Sequence, residues 1–167
     1  MIEPRPAAPS DPSATFRRAF LGFAAVTVVG SSIELASYRH WKGDQWLAWL
    51  FVVLLGVATT LTAIRPNRLR LMIARALAAP TAVGGMWGSV EHIKSNYSSG
   101  PLNYHYTDRW PTMSFAAKLW AATSKSTGAA PSLVPFVLAQ GAAFVVLASL
   151  HHPRLLPDGR LINDELR

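Results

Sequence analysis

Two carboxylates and three imidazoles are the side chains of this chain whose types and positions could do chemistry. Glu34 interrupts an apolar run that begins near Ala19, and Glu91 interrupts one that begins near Ala76. A carboxylate carried into hydrocarbon is expensive enough to be treated as a functional candidate. His40, His92 and His105 follow at the same ends of these runs. Carboxylate oxygens with imidazole nitrogens make a mixed site suited to a divalent metal, and imidazole also suits a haem iron. Asn96 lies one helical turn after His92, so the two share a face and could hold a ligand or each other. A structural reading competes with all of this. Glu34 can bond Tyr38 one turn on or pair with an outer arginine, and Glu91 stands three residues before Lys94, an ordinary helical ion-pair spacing. Adjacent Glu91 and His92 point about 100° apart on a helix, so neither the HExxH nor the ExxH arrangement is present.

Absences narrow the chemistry further. There is no cysteine in the chain, which removes disulfides, thiolate metal sites, iron–sulfur clusters and thioether-linked haem. There is also no phosphate-cradling glycine loop, no Gly-x-Ser-x-Gly elbow and no Ser, His and Asp set in a recognisable context, so the sequence does not suggest a hydrolase.

The elements that must carry these residues are apolar. Half of the 167 residues are hydrophobic and only 15% are charged, against roughly 25% charged in soluble proteins. The expected fold is all-α, an integral membrane bundle of four transmembrane helices with spans over 19–38, 45–64, 69–93 and 132–150. Residues 1–15, with four prolines, read as a disordered tail. Gln45 to Ile64 gives twenty residues without a charge, the clearest span. The third is the innermost helix, because Pro80, Gly84, Gly85 and Gly88 offer lipid little bulk. Gly84 and Gly88 form a small-xxx-small pair for close helix packing. A secretory signal is the competing reading of the first run, but Glu34 falls late in it and no convincing cleavage site follows.

The net charge of +7 would suggest nucleic acid in a soluble protein, yet the basic residues flank the apolar runs as insertion topology requires. No nucleic-acid partner is expected. Four spans put both termini and the 65–70 loop on one side with most of the arginines, so these should be cytoplasmic at a plasma (inner) membrane, with residues 154–167 a second cytoplasmic tail. All six Trp and all four Tyr residues then fall on the opposite half. An aromatic belt explains some of them but not the lack of a second belt. A structured extracytoplasmic loop over 94–131, including a short interfacial helix near 113–123, accounts for the rest. Trp41, Trp110, Trp120, Tyr104 and Tyr106 are its candidate docking residues for other subunits of a larger membrane complex.

Glu34, His40 with Trp41, Gln45, the glycine-rich third run leading to His92 and Asn96, and His152-Pro153 give the chain a resemblance to small bacterial four-span membrane proteins. That resemblance implies an architecture and carries no activity with it. Two functions follow from the residues. One is an accessory or structural subunit docking through the outer loop; the other is a binding protein for a divalent metal, haem or small ligand, with Glu34, His40, Glu91, His92, Asn96 and His105 as candidates.

Overall fold

A computed structural model describes residues 12–150 and 152. His151, most of the expected amino-terminal tail and the tail beyond His152 lie outside the described residues. Among them there are five α-helices and no strand: α1 (Pro12–Ser37), α2 (Trp46–Ala63), α3 (Arg68–Ser99), α4 (Phe115–Thr123) and α5 (Phe136–Ser149). Short 3-10 turns lie at 43–45, 100–102 and 110–112.

Helix boundaries follow from local chemistry. α1 starts at Pro12, four residues inside the stretch read as a tail; proline's fixed φ and missing N–H suit a first helical turn. It ends in a left-handed residue, Arg39 (φ +53°), with His40 N–H donating to Leu35 O at 3.0 Å and Arg39 N–H to Ala36 O at 3.1 Å. That pair of bonds is a Schellman stop. The Asn67 side chain caps α3 by accepting from Arg70 N–H at 2.9 Å, and Ser114 caps α4 by accepting from Ala117 N–H at 3.3 Å.

α1, α2, α3 and α5 form an antiparallel bundle in that cyclic order, each packed on its two neighbours, with α1 and α3 at opposite corners. Phe20 and Phe23 of α1 meet Phe144 of α5. Val28 faces Gly56 across α1 and α2, Gly84 faces Phe51 across α2 and α3, and Gly85 faces Ala139 across α3 and α5. α5 runs antiparallel to α3, with Arg75 on Ser149 and Gly88 on Pro135, and to α1, with Phe20 on Phe144 and Thr27 on Gly141; short turns reverse the chain between α1 and α2 and between α2 and α3.

Lengths differ from the sequence expectation at two places. α3 has 32 residues, about 48 Å at 1.5 Å per residue, and runs through Pro80 and past Ile93 to Ser99. α5 has 14 residues, about 21 Å, starting four residues later than expected. Pro131 and Pro135 account for the delay, since each lacks a donor and bars its predecessor from the helical region. The intervening residues turn instead, with Val134 N–H on Pro131 O at 3.2 Å and Leu138 N–H on Pro135 O at 3.1 Å.

The interior mixes Leu55, Leu71, Leu138, Val52 and Val145 with many small side chains. Ala24, Ala58, Ala74, Ala78, Ala142 and Ala148 are buried with Thr27, Thr59, Thr62 and Thr81. Each of those threonines returns its hydroxyl to the carbonyl four residues back, so none leaves a polar atom unmatched. Phe23, Val26, Val29, Ile33, Val53 and Val83 point outward. α1 and α2 are each long and apolar enough to cross a membrane.

Candidate functional site

The end of the bundle where α1 stops and α2 starts carries every sequence candidate, and a folded cap covers part of it. Because α3 outruns α5, its last two turns stand clear of the bundle, and residues 100–132 wrap around them. Asn96 is the centre of this arrangement, 1% exposed. Its Nδ2 donates to Ala130 O at 2.8 Å, Ala122 O at 3.0 Å and Ser132 Oγ at 3.0 Å, and its Oδ1 accepts from Ala130 N–H at 3.1 Å. Thr127 Oγ1 donates to the Asn96 carbonyl at 2.8 Å. Every polar atom of the side chain is used within the chain. Asn96 is therefore a staple between α3, the end of α4 and the approach to α5.

His92, one turn earlier, does not bond Asn96. Its Nδ1 lies 3.0 Å from Pro131 O. Since a carbonyl only accepts, this nitrogen carries the proton, and in a neutral ring Nε2 is then an unprotonated acceptor. Both side chains thus grip the 130–132 segment as it turns into α5. Asn103 adds a third grip, donating to Thr127 O at 3.2 Å while its Oδ1 accepts from His105 N–H at 3.0 Å.

The remaining candidates are spread over different corners. Glu91 pairs with Lys94, its oxygens 2.8 and 3.0 Å from Nζ. Glu34 is half-buried and engages no side chain among the described residues; Tyr38 N–H donates to its backbone carbonyl at 2.9 Å, not to its carboxylate. α1 and α3, which bear the two acids, stand at opposite corners of the bundle. His40 lies in the α1–α2 turn, where its carbonyl accepts from Trp49 Nε1 at 2.9 Å and its buried Nδ1 has no partner. His105 is exposed in the cap, with the Tyr104 ring 3.7 Å away. Among the described residues no three His, Asp or Glu side chains are grouped as a metal ion would require.

The aromatic candidates divide into interior and surface. Trp110 is only 6% exposed. It is laid over Gly100, with Tyr97 edge-on at 5.3 Å and Tyr106 at 6.1 Å, so it is the core of the cap and offers no docking surface. Tyr106 is half-buried beneath the Arg109 guanidinium at 4.3 Å. Trp41 stacks on Trp49 at 5.2 Å while keeping one face open. Tyr104 and Trp120 are 83% and 73% exposed, and Leu102 and Phe115 are exposed as well.

The glycines of α3 face close neighbours on two sides. Gly84 receives the Phe51 ring and Gly88 the Pro135 ring, so the small-xxx-small pair serves two different helices. Gly85 makes the closest helix approach: a Cβ there would stand 2.7 Å from both Ala139 N and Pro135 O. Asn103, Thr127 and Gly128 also carry the cap without having announced themselves, since an Asn in a polar loop and a Thr-Gly pair look alike whether solvated or locked. Comparison with protein-family models, curated proteins and solved structures gives no match for this chain.

Proposed function

We propose that this chain is a four-span membrane protein that serves as an accessory subunit, docking on a larger membrane complex through the exposed aromatic face of its cap. The inverted burial of the bundle carries the membrane part of this reading. Only 11% of the apolar stretch of α1 is buried, so its Phe, Val and Ile side chains face outward in a continuous band. A soluble protein does not leave such an area bare to water, whereas in lipid that surface costs nothing and small residues pack the interior. α1 and α2 are long and apolar enough alone; the four-span reading asks α3 to cross with Arg75 and Glu91 near the two faces of the bilayer, and α5 to cross with the 131–135 turns added. The arginine-rich 65–70 turn then belongs in the cytoplasm and the cap outside an inner membrane.

The docking part rests on the cap being rigid yet greasy. Asn96, His92 and Asn103 fix its backbone, and Leu102, Tyr104, Phe115 and Trp120 project from it. Large aromatics held on a fixed frame are what a protein interface uses as anchors. A photo-reactive amino acid at position 120, in cells at native expression, should crosslink to one membrane partner in a defined ratio, while the same probe at lipid-facing Val26 should not. Crosslinking to lipid alone at both positions would reject the docking role.

His92 favours a second reading, a site for a metal, haem or small ligand. A histidine whose Nδ1–H is fixed on a carbonyl presents Nε2 in a set direction, as metal-bound histidines do. Metal analysis and an absorption spectrum of the purified chain decide it; two blank results reject it.

A further inference from the structure

The charges of this bundle are sorted by end more sharply than by number. Arg17, Arg18, Arg65, Arg68, Arg70 and Arg75 lie at the end opposite the cap, and no described acid accompanies them. All four described acids, Glu34, Asp44, Glu91 and Asp108, are at the cap end, where they face six cations. The flanking segments 1–11 and 153–167 hold four arginines and five acids between them, so in net terms they add almost nothing. Every cation at the first end is arginine and none is lysine. Arginine's planar fork matches phosphate oxygens in pairs, which an ammonium cannot do.

Helix capping uses only part of this set. Arg75 donates from Nε to Ser149 Oγ and from Nη2 to Ser149 O, both at 2.7 Å, closing the carboxyl end of α5. Arg70 Nη1 does the same for α2 through Ile64 O and Arg65 O at 3.1 and 3.2 Å. Arg68 is exposed and contacts no other side chain among the described residues. At this end a groove of about 330 Å³ opens between α1 and α5, lined by Phe16, Phe20, Leu147, Leu150, Ser13 and Arg17, with Arg17 Nη1 donating to Ser13 Oγ at 2.8 Å. Its lining is mostly apolar with one cation in it.

We infer that this end of the bundle binds anionic phospholipid, an acyl chain lying in the α1–α5 groove and the headgroup phosphate held by Arg17 together with Arg18 beside it. The inference rests on the bundle being in a bilayer. Charge complementarity selects the occupant: a bare apolar groove would take any chain, whereas a groove with Arg17 in its lining, at an end whose described cations are all arginine, prefers one that carries a negative phosphate at that depth.

The test uses the full chain in discs of phosphatidylcholine alone and of phosphatidylcholine mixed with phosphatidylglycerol. Lipids retained after gentle extraction are counted by native mass spectrometry. Phosphatidylglycerol should be retained about tenfold over its share of the disc, and removing Arg17 or Arg18 should reduce that about fivefold. Arg18→Gln, beside Arg17 on α1 and disturbing no described side-chain contact, carries this arm should Arg17→Gln fail to fold. Leu147→Trp, which fills the groove without changing charge, should lower retention, and Arg39→Gln at the cap end should leave it unchanged. Equal retention of the two lipids, an equal loss from Arg39→Gln, or displacement by soluble glycerol phosphate would overturn the lipid site. Alkaline extraction of vesicles separates this from the membrane reading: a chain stripped into solution sinks both, whereas a retained chain indifferent to lipid charge sinks only the site.

Discussion

Gly128 is seated directly on Asn96, so that a Cβ at 128 would overlap Oδ1 and stand 3.0 Å from the Asn96 Cα and Cγ atoms. The glycine lets the 127–130 turn close over the side chain that organises it. Replacing Asn96 by Ala strips partners from Ala130 N–H, Ala130 O and Ser132 at once in a buried place. Unmade buried hydrogen bonds cost about 1–3 kcal/mol each, so Asn96→Ala should destabilise the cap by about 3 kcal/mol or more. Gly128→Ala should act in the same direction. Limited proteolysis between 100 and 130 should become fast in both variants while the bundle survives, and undiminished resistance would remove Asn96 from this role.

The glycines of α1 and α3 should respond oppositely to the same substitution. Gly85→Ala drives a methyl group into α5 backbone that cannot rotate away, an overpacking worth about 1–3 kcal/mol. Gly84→Ala meets only the far edge of the Phe51 ring, which can turn, and should cost less. Gly22 and Gly30 have nothing within 4 Å of a built Cβ, so alanine there should stabilise α1 by about 0.5–1 kcal/mol. Thermal unfolding in detergent orders the four variants.

Part of this architecture is legible in the amino-acid sequence. The Arg-His-Trp-Lys-Gly-Asp and Arg-Pro-Asn-Arg turns delimit α1, α2 and α3, and the second marks α2 and α3 as antiparallel neighbours; the glycine-rich third run reads as the inner helix, whereas α3 is a corner of the four-helix cycle with Val83 and Trp87 turned outward. The site is less legible, because the residues that attract attention as ligands, Glu91, His92 and Asn96, are also good at capping and stapling. Spacing places two side chains on one face but does not say which backbone will arrive there. Asn96 and His92 share a face as expected, yet both turn to the 130–132 segment, whose course Pro131 and Pro135 set from thirty-odd residues away.

Lys125 sits at φ +61°, closing α4 with Ser126 N–H on Ala121 O at 2.9 Å and its own N–H on Ala122 O at 3.3 Å. Arg39 closes α1 in the same way. Glycine is the usual residue at this position because a Cβ is strained there. Lys125→Gly and Arg39→Gly should therefore each raise stability, by about 0.5–1 kcal/mol. Lower unfolding temperatures in both would mean that these side chains hold contacts worth more than the strain.

Glu91 and Lys94 form an exposed pair three residues apart, a class worth roughly 0–1 kcal/mol. Glu91→Gln should then shift stability by no more than that and leave any bound metal or chromophore untouched. A larger effect, or the loss of a bound metal, would reinstate Glu91 as a ligand and favour the binding-site function over docking.

Because the chain has no cysteine, single cysteines report topology without background. Arg68 and Leu102 lie at opposite ends of α3, so four spans require them to be on opposite sides of the membrane. If only α1 and α2 crossed, with α3 and α5 lying along the surface, the two positions would share a side. Leu102→Cys should react with an impermeant maleimide in intact cells, and Arg68→Cys only after permeabilisation. Trp41→Cys, in the α1–α2 turn, should follow Leu102→Cys. Labelling of Arg68→Cys and Leu102→Cys from the same side would reduce the crossing helices to two and take the arginine end out of register with any leaflet.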